Sequence, residues 1–295
     1  MTVRLTLAAL FVIPAVMTYP WQTVAQRWLL GVAIAVVVVL FASWRGRFVT
    51  AIFGRRTAIL LRRGRIRDAA PSGEYATVAL RLEPREAAEL PLSLVAGYLD
   101  RYGISFDKVR VTSRIAGPGA AATWVALTLG AADNIAALSA RSPAIPLRDT
   151  AELAGRRLAD QLREAGWEVS VDDTAAGPLS GEAKERWRGV EDGRGFLAAY
   201  RIAADEPLDG LFSAVRALDA DEIWTAVEFT GDRTQPEFAA ACALRTAQRP
   251  GVRASLPGLT PQHGRHAAAL AAMAPGSDQR LPGPTGLMPP VLSRT

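Results

Sequence analysis

Asp219 and Asp221, one residue apart, are the carboxylates in this chain best spaced to share a divalent cation, as a transferase acting on a nucleotide sugar would require. They fall between the end of an expected helix and a strand expected from Ile223, where acidic residues ordinarily form turns, and the turn is the preferred reading. Asp172 and Asp173 are read the same way. His263 and His266 are the two histidines and could share a helical face, yet zinc takes three or four ligands and no Cys or further His stands near them. The single cysteine, Cys242, lies in the apolar run Phe238 to Leu244 with no histidine base close in sequence, which suits a small buried side chain better than a nucleophile. Ser180, in Gly-Pro-Leu-Ser-Gly, misses the nucleophile-elbow pattern by one position. No glycine-rich loop ending in Gly-Lys-Ser/Thr occurs, and Gly117-Pro118-Gly119 lies between two expected strands rather than between a strand and a helix. Neither a triphosphate nor a dinucleotide site follows, and no catalytic residue, metal or cofactor is expected.

The elements that would carry such groups begin after a boundary expected near Pro71. Strands are expected at Tyr75 to Leu82, Ser105 to Ile115, Thr123 to Leu129 and Trp167 to Val171. Helices are expected at Leu90 to Tyr102, stopped by Gly103, at Asp133 to Ala140, and at Thr150 to Ala165, stopped by Gly166. Phe196 to Ala203, Leu208 to Leu218, Ile223 to Thr230 and Glu237 to Thr246 then read as strand, helix, strand, strand, the order already met between Tyr75 and Leu129. The expectation is an α/β (α+β) domain with a mixed sheet over residues 74–249, with duplicated βαββ units as one open interpretation. A Gly/Pro-rich tail, 250–295, holds one short helix, His263 to Met273, and either packs along a surface or stays mobile.

Ahead of that domain, Leu5 to Tyr19 and Trp28 to Trp44 are apolar and free of charge. About 17 helical residues cover about 25 Å, near the lower limit for a bilayer, so helices over about 3–19 and 27–44 form an expected transmembrane hairpin within 1–47. Tyr19, Trp21, Trp28 and Trp44 stand at the ends of the runs, where an amphipathic ring suits the membrane interface. A basic linker, 48–73, follows, read from Arg45 as a continuation of the second helix. Arg45, Arg47, Arg55, Arg56, Arg62, Arg63, Arg65 and Arg67 all precede the first acidic residue and would stay cytoplasmic, beside anionic headgroups. Both termini of a two-pass chain are then cytoplasmic. A signal peptide cleaved after Ala25 is the competing reading, and the charge pattern disfavours it.

The net charge of +5 does not describe the folded body. Residues 1–67 hold ten Arg and no acid, leaving 24 basic against 29 acidic groups in the remainder. A mildly acidic body does not suit nucleic acid, whose phosphates need positive charge on the folded surface.

Several runs are similar to the EccE subunit of mycobacterial type VII (ESX) secretion systems: Pro20-Trp-Gln-Thr with Gln26-Arg-Trp28, Gly97-Tyr-Leu-Asp-Arg-Tyr-Gly-Ile104, and the stretch Asp133 to Ser142. The stretches Ala154 to Trp167, Lys184 to Val190 and Trp224 to Gly231 belong to the same resemblance. It is nearest to the paralogue linked to siderophore-mediated iron acquisition. The scarcity of lysine, Lys108 and Lys184 alone, suits a GC-rich actinobacterial source. The resemblance implies a non-enzymatic subunit of an inner-membrane complex with EccB, EccC and EccD that exports WXG-type heterodimers, with ATP bound by EccC only. A membrane-tethered transferase using Asp219 and Asp221, and a lipid-surface adaptor working through the Arg cluster, are the alternatives.

Overall fold

The computed structural model describes residues 74–84, 89–117, 120–179, 182–203, 208–231, 236–283 and 286–287, together with positions 17, 28, 30, 43–44 and 47–48. The chain divides into two compact units, Met1–Gly64 and Arg65–Thr295. In the first, Met17, Trp28 and Leu30 are helical, and Ser43–Trp44 pairs antiparallel with Arg47–Phe48. Ser43 and Trp44 are therefore extended, where the end of a helix was expected, and Arg45 and Gly46 lie outside the described residues. The rest of the expected hairpin and of the basic linker lies outside the described residues. Among the described residues, no helix is long and apolar enough to cross a membrane.

The second unit is built from alternation. In β1 (Tyr75–Pro84), Val78, Leu80 and Leu82 share one face while Thr77, Ala79 and Arg81 share the other. β2 (Ile104–Ala116) and β3 (Ala121–Gly130) continue that division and pair as a hairpin, Ile115 opposite Ala121. Between β1 and β2 the expected helix is cut short: α1 (Leu92–Ala96) gives way at Gly97 to a 3-10 turn, Gly97–Leu99, which swings Tyr98 and Leu99 into the core. After β3 come α2 (Ile135–Ser139), α3 (Leu147–Glu164) and β4 (Trp167–Val171). α3 buries Ala151, Ala154, Gly155, Leu158 and Leu162 along one stripe, and Gly155 lets it approach β1 so closely that an added Cβ would stand 3.0 Å from Val78.

The remaining strands are β5 (Lys184–Arg186), β6 (Gly189–Asp192), β7 (Gly195–Ile202), β8 (Glu222–Gly231), β9 (Pro236–Thr246), β10 (Leu259–Pro261) and β11 (Gly286–Leu287). α4 (Leu208–Arg216) links β7 to β8, and α5 (His266–Ala272) follows β10. The main sheet runs β4-β1-β3-β2-β8-β9-β7-β6-β5, with β10 on β7 and β11 on β9, and every described pairing in it is antiparallel. The two expected strand-helix-strand-strand runs thus take the same lateral order, β1-β3-β2 and β7-β9-β8, and meet edge to edge where β2 pairs with β8. This is a sheet-rich α+β domain.

Helices α1, α3 and α4 cover one face, over Val109, Val125, Leu127 and Phe229. The other face is closed by the chain's own C-terminal stretch. The alanine-rich α5 lies over β5, β6 and β7, and Leu270, Met273 and Leu281 are buried in one cluster with Val190, Leu197 and Ala199 and with the small Ala239, Ala241 and Ala243 of β9. The Gly/Pro-rich stretch through residue 283 is therefore part of the core.

Candidate functional site

β2 places Lys108, Arg110, Thr112 and Arg114 on one face by strict alternation. In isolation such a face belongs in water, but here it lies beneath the C-terminal stretch, and Lys108 and Arg110 are each 1% exposed. β8 supplies the counter-charges from the neighbouring lane, because Arg110 stands opposite Glu228 in the register. Arg110 donates from Nε to Glu228 Oε2 at 3.0 Å and from Nη2 to the same oxygen at 2.5 Å. Its Nη1 reaches the carbonyls of Ala274 and Ser277 at 3.1 and 3.4 Å, and both Arg110 and Lys108 donate to the Gln279 carbonyl. Glu228 Oε1 accepts the Leu281 backbone N–H at 2.9 Å. One buried carboxylate and two buried cations thus hold four backbone groups of the closing segment.

A second cluster sits toward the other end of the same lane. Glu222 accepts from Arg245 and Arg114, each at 2.6 Å, and Arg245 in turn binds both oxygens of Asp192, at 2.7 and 2.9 Å, and the Pro178 carbonyl at 3.1 Å. Between the clusters Trp124 and Trp224 stack at 5.9 Å, with the Arg114 guanidinium over the Trp224 ring. Burial by itself would raise the Glu222 carboxyl, but Arg245 and Arg114 hold it below the usual carboxylate range. Burial, and then the adjacent Arg110, push the Lys108 ammonium down to about 7 against the pull of Glu228.

That depression has a measurable sign. Between about pH 7 and about pH 10 the unfolded chain holds a proton on Lys108 that the folded chain has released, so the contribution of this group to stability rises with pH across that window. Lys108→Met should raise stability at pH 7 and flatten that part of the pH dependence, read as unfolding free energy of parent and variant at pH 7 and 9.5. Parallel pH profiles would rule the assignment out.

The residues singled out in the sequence are placed differently. Asp219 and Asp221 are exposed in the turn between α4 and β8, where the Asp221 N–H donates to the Arg245 carbonyl. Asp172 accepts from the N–H and hydroxyl of Thr174, as a turn former does, and from Trp124 Nε1 at 3.0 Å, while Asp173 pairs with Arg148. These two line an open groove of about 1050 Å³ beside β1, the start of α3 and residues 274–279. Cys242 is fully buried, and burial pushes its thiol up to about 12. His266 Nδ1 accepts the Ala199 N–H in the core, and burial pushes its ring down to about 3. His263 stacks on Trp187 at 5.7 Å. Among the described residues no group of three His, Cys, Asp or Glu is placed to hold a metal ion. Ser180 lies outside the described residues, as do Tyr19, Trp21, Arg45, Arg55, Arg56, Arg62, Arg63, Arg65 and Arg67.

The buried charges escaped sequence reasoning. The signal was there in Glu228, a lone acid in the apolar strand Ala226-Val-Glu-Phe229, and in Arg245 at the end of the alanine run.

Residues 118–202 match a family model described as "Putative type VII ESX secretion system translocon, EccE". Along 99% of its length the chain is 50% identical to the ESX-3 secretion system protein EccE3 of Mycolicibacterium smegmatis, covering 94% of that protein. It is 46% identical to the protein of the same name from Mycobacterium tuberculosis, covering 99% of this chain and 90% of the relative.

Proposed function

The chain belongs to the EccE family, and from that premise we propose that it is a non-catalytic structural subunit of an ESX-3-type secretion complex in the inner membrane. The observation that carries this reading is the likeness to EccE3 proteins over nearly the whole chain, both before and after the stretch that the family model covers. The use of the charged lanes of the sheet supports it. Arg110, Glu228, Arg245 and Glu222 bind one another and the chain's own backbone, an arrangement that fixes a surface rather than one that meets a substrate.

In this reading the N-terminal runs form a two-pass anchor with both termini cytoplasmic, and the arginines from Arg45 to Arg67 lie against anionic lipid. The sheet domain docks on the cytosolic parts of EccB, EccC and EccD, and ATP is bound by EccC. The complex exports WXG-type heterodimers and supports siderophore-mediated iron acquisition.

Detergent extraction of the tagged full-length chain from a mycobacterial host, followed by affinity purification and mass spectrometry, tests this. EccB, EccC and EccD should co-purify in fixed proportion, and a deletion strain should grow poorly when iron is limiting. Recovery of the chain alone would sink the proposal.

A further inference from the structure

Three runs far apart in sequence meet on one patch of the helical face. The first supplies Tyr98, Arg101 and Tyr102, the second Arg141, and the third, on α3, Leu153 and Arg157. Asp100–Arg101 pairs with Ile104–Ser105, leaving Tyr102 and Gly103 as a two-residue hairpin loop with φ of +60° and +69°. Such loops ordinarily take Asn, Asp or Gly at the first position, because a Cβ at positive φ crowds the following carbonyl. A tyrosine there is strained, and the strain is not relieved by burial, since Tyr102 is 46% exposed.

The surroundings hold that ring in place. The Arg157 guanidinium lies 4.5 Å from its centroid, Arg101 spans Tyr98 and Tyr102 at 5.1 and 5.6 Å, and the two tyrosines meet edge to face at 6.3 Å. Tyr98 beneath is fully buried and donates to Gln161 Oε1 at 3.0 Å. Arg141 donates to the Tyr102 carbonyl at 3.4 Å. Beside the ring is an apolar pocket of about 150 Å³ floored by Ile104, Phe106 and Ala154, with Leu153, 49% exposed, at its rim.

Arginines outnumber acids around this pocket. Among the described residues Arg101, Arg141 and Arg157 have no carboxylate partner, whereas the other arginines of α3, Arg148, Arg156 and Arg163, pair with Glu152, Asp173 or Asp160. Asp149, at the far wall, and Asp100, before Arg101, are the acids nearby. A rigid tyrosine on an arginine frame beside an apolar pocket is the composition that concentrates binding energy in protein interfaces.

We infer that the Tyr102–Arg157 patch is a docking site for an acidic segment of another protein, which inserts an apolar side chain beside Leu153 and sets carboxylates against Arg101, Arg141 and Arg157. The inference deepens the proposed role as a complex subunit and rests on it.

The test uses the full-length chain in its detergent-extracted assembly, with a photo-crosslinking amino acid at Leu153. The crosslink should map to a segment of another subunit in which Asp or Glu flanks an apolar residue. Tyr102→Gly, which removes the ring and the strain together, should cut crosslinking at least tenfold while leaving the melting temperature unchanged or higher. Arg157→Glu should do the same to crosslinking, and Arg156→Glu, an equal charge change one residue away on α3, should not. A crosslink to lipid, to a second copy of this chain or to a segment without acids would overturn the inference. So would a yield unmoved by Arg157→Glu. If the other subunits co-purify but nothing crosslinks at Leu153, the patch is refuted and the subunit role stands; if the unaltered chain purifies alone, the subunit role itself has failed.

Discussion

Glu228→Ala is expected to lower the unfolding free energy of the detergent-solubilised protein by about 3–5 kcal/mol, the range for removing one partner of a buried ion pair. The cause is less the loss of attraction than what remains. Arg110 would keep its charge at 1% exposure with carbonyl dipoles as its closest compensation, Lys108 would lose the pull that favours its charged form, and the Leu281 N–H would lose its acceptor. The companion Arg110→Met/Glu228→Met should recover part of the loss, because two apolar side chains of similar length leave no stranded charge. The remainder belongs to the carbonyls of Ala274 and Ser277, which lose their donor. Chemical denaturation followed by tryptophan fluorescence reads both variants. A single Glu228→Ala variant within 1 kcal/mol of the parent would show that the pair is not closed off from water.

A chain ending at residue 263 is expected not to reach the native fold. It would lose Leu270, Met273 and Leu281, each worth about 1.5–3 kcal/mol when buried, and would bare the tryptophan pair and the Lys108-Arg110 lane to solvent. Ordinary domain stability is about 5–15 kcal/mol, so the combined loss is comparable to the whole. A chain ending at Leu287 keeps these groups and should behave as the parent. Limited proteolysis after detergent extraction separates the two, through rapid cleavage within 74–250 in the shorter chain and parent-like resistance in the longer. Equal resistance would mean that the C-terminal stretch decorates the sheet without closing it.

These two outcomes depend on features that the sequence shows unequally. β4 is read at its observed bounds, and β2, β3, β8 and β9 fall within a residue or two of theirs, because period-two alternation is a local property of the strand. α3 is legible in its apolar stripe and its stop at Gly166, although it begins at Leu147, ahead of the expected Thr150. The short hairpin of β5 and β6 and the three-residue β10 are not legible, since Lys184–Arg186 and Leu259–Pro261 are too brief to alternate and exist as strands only because β6 offers an edge to the first and β7 to the second. The expected helix through Tyr102 fails for a related reason. Periodicity continues past Gly97, but Tyr98 must be buried and the Asp100–Arg101 pair must meet Ile104–Ser105.

By itself, then, the sequence determined the apolar N-terminal runs, the segregation of positive charge ahead of an acidic body, the order of most strands and helices, and the family. All of these are written in composition, in near-neighbour spacing or in identity along the chain. Tertiary structure alone decided that β2 pairs with β8, that the polar lane of β2 is buried, and that the glycine- and proline-rich end of the chain is its cover. Those facts join residues more than a hundred positions apart, as Arg110 with Glu228 and Lys108 with Gln279. Alternation says that Lys108, Arg110 and Arg114 share a face. Whether water or the chain's own backbone satisfies that face depends on what folds over it, and no local pattern carries that information.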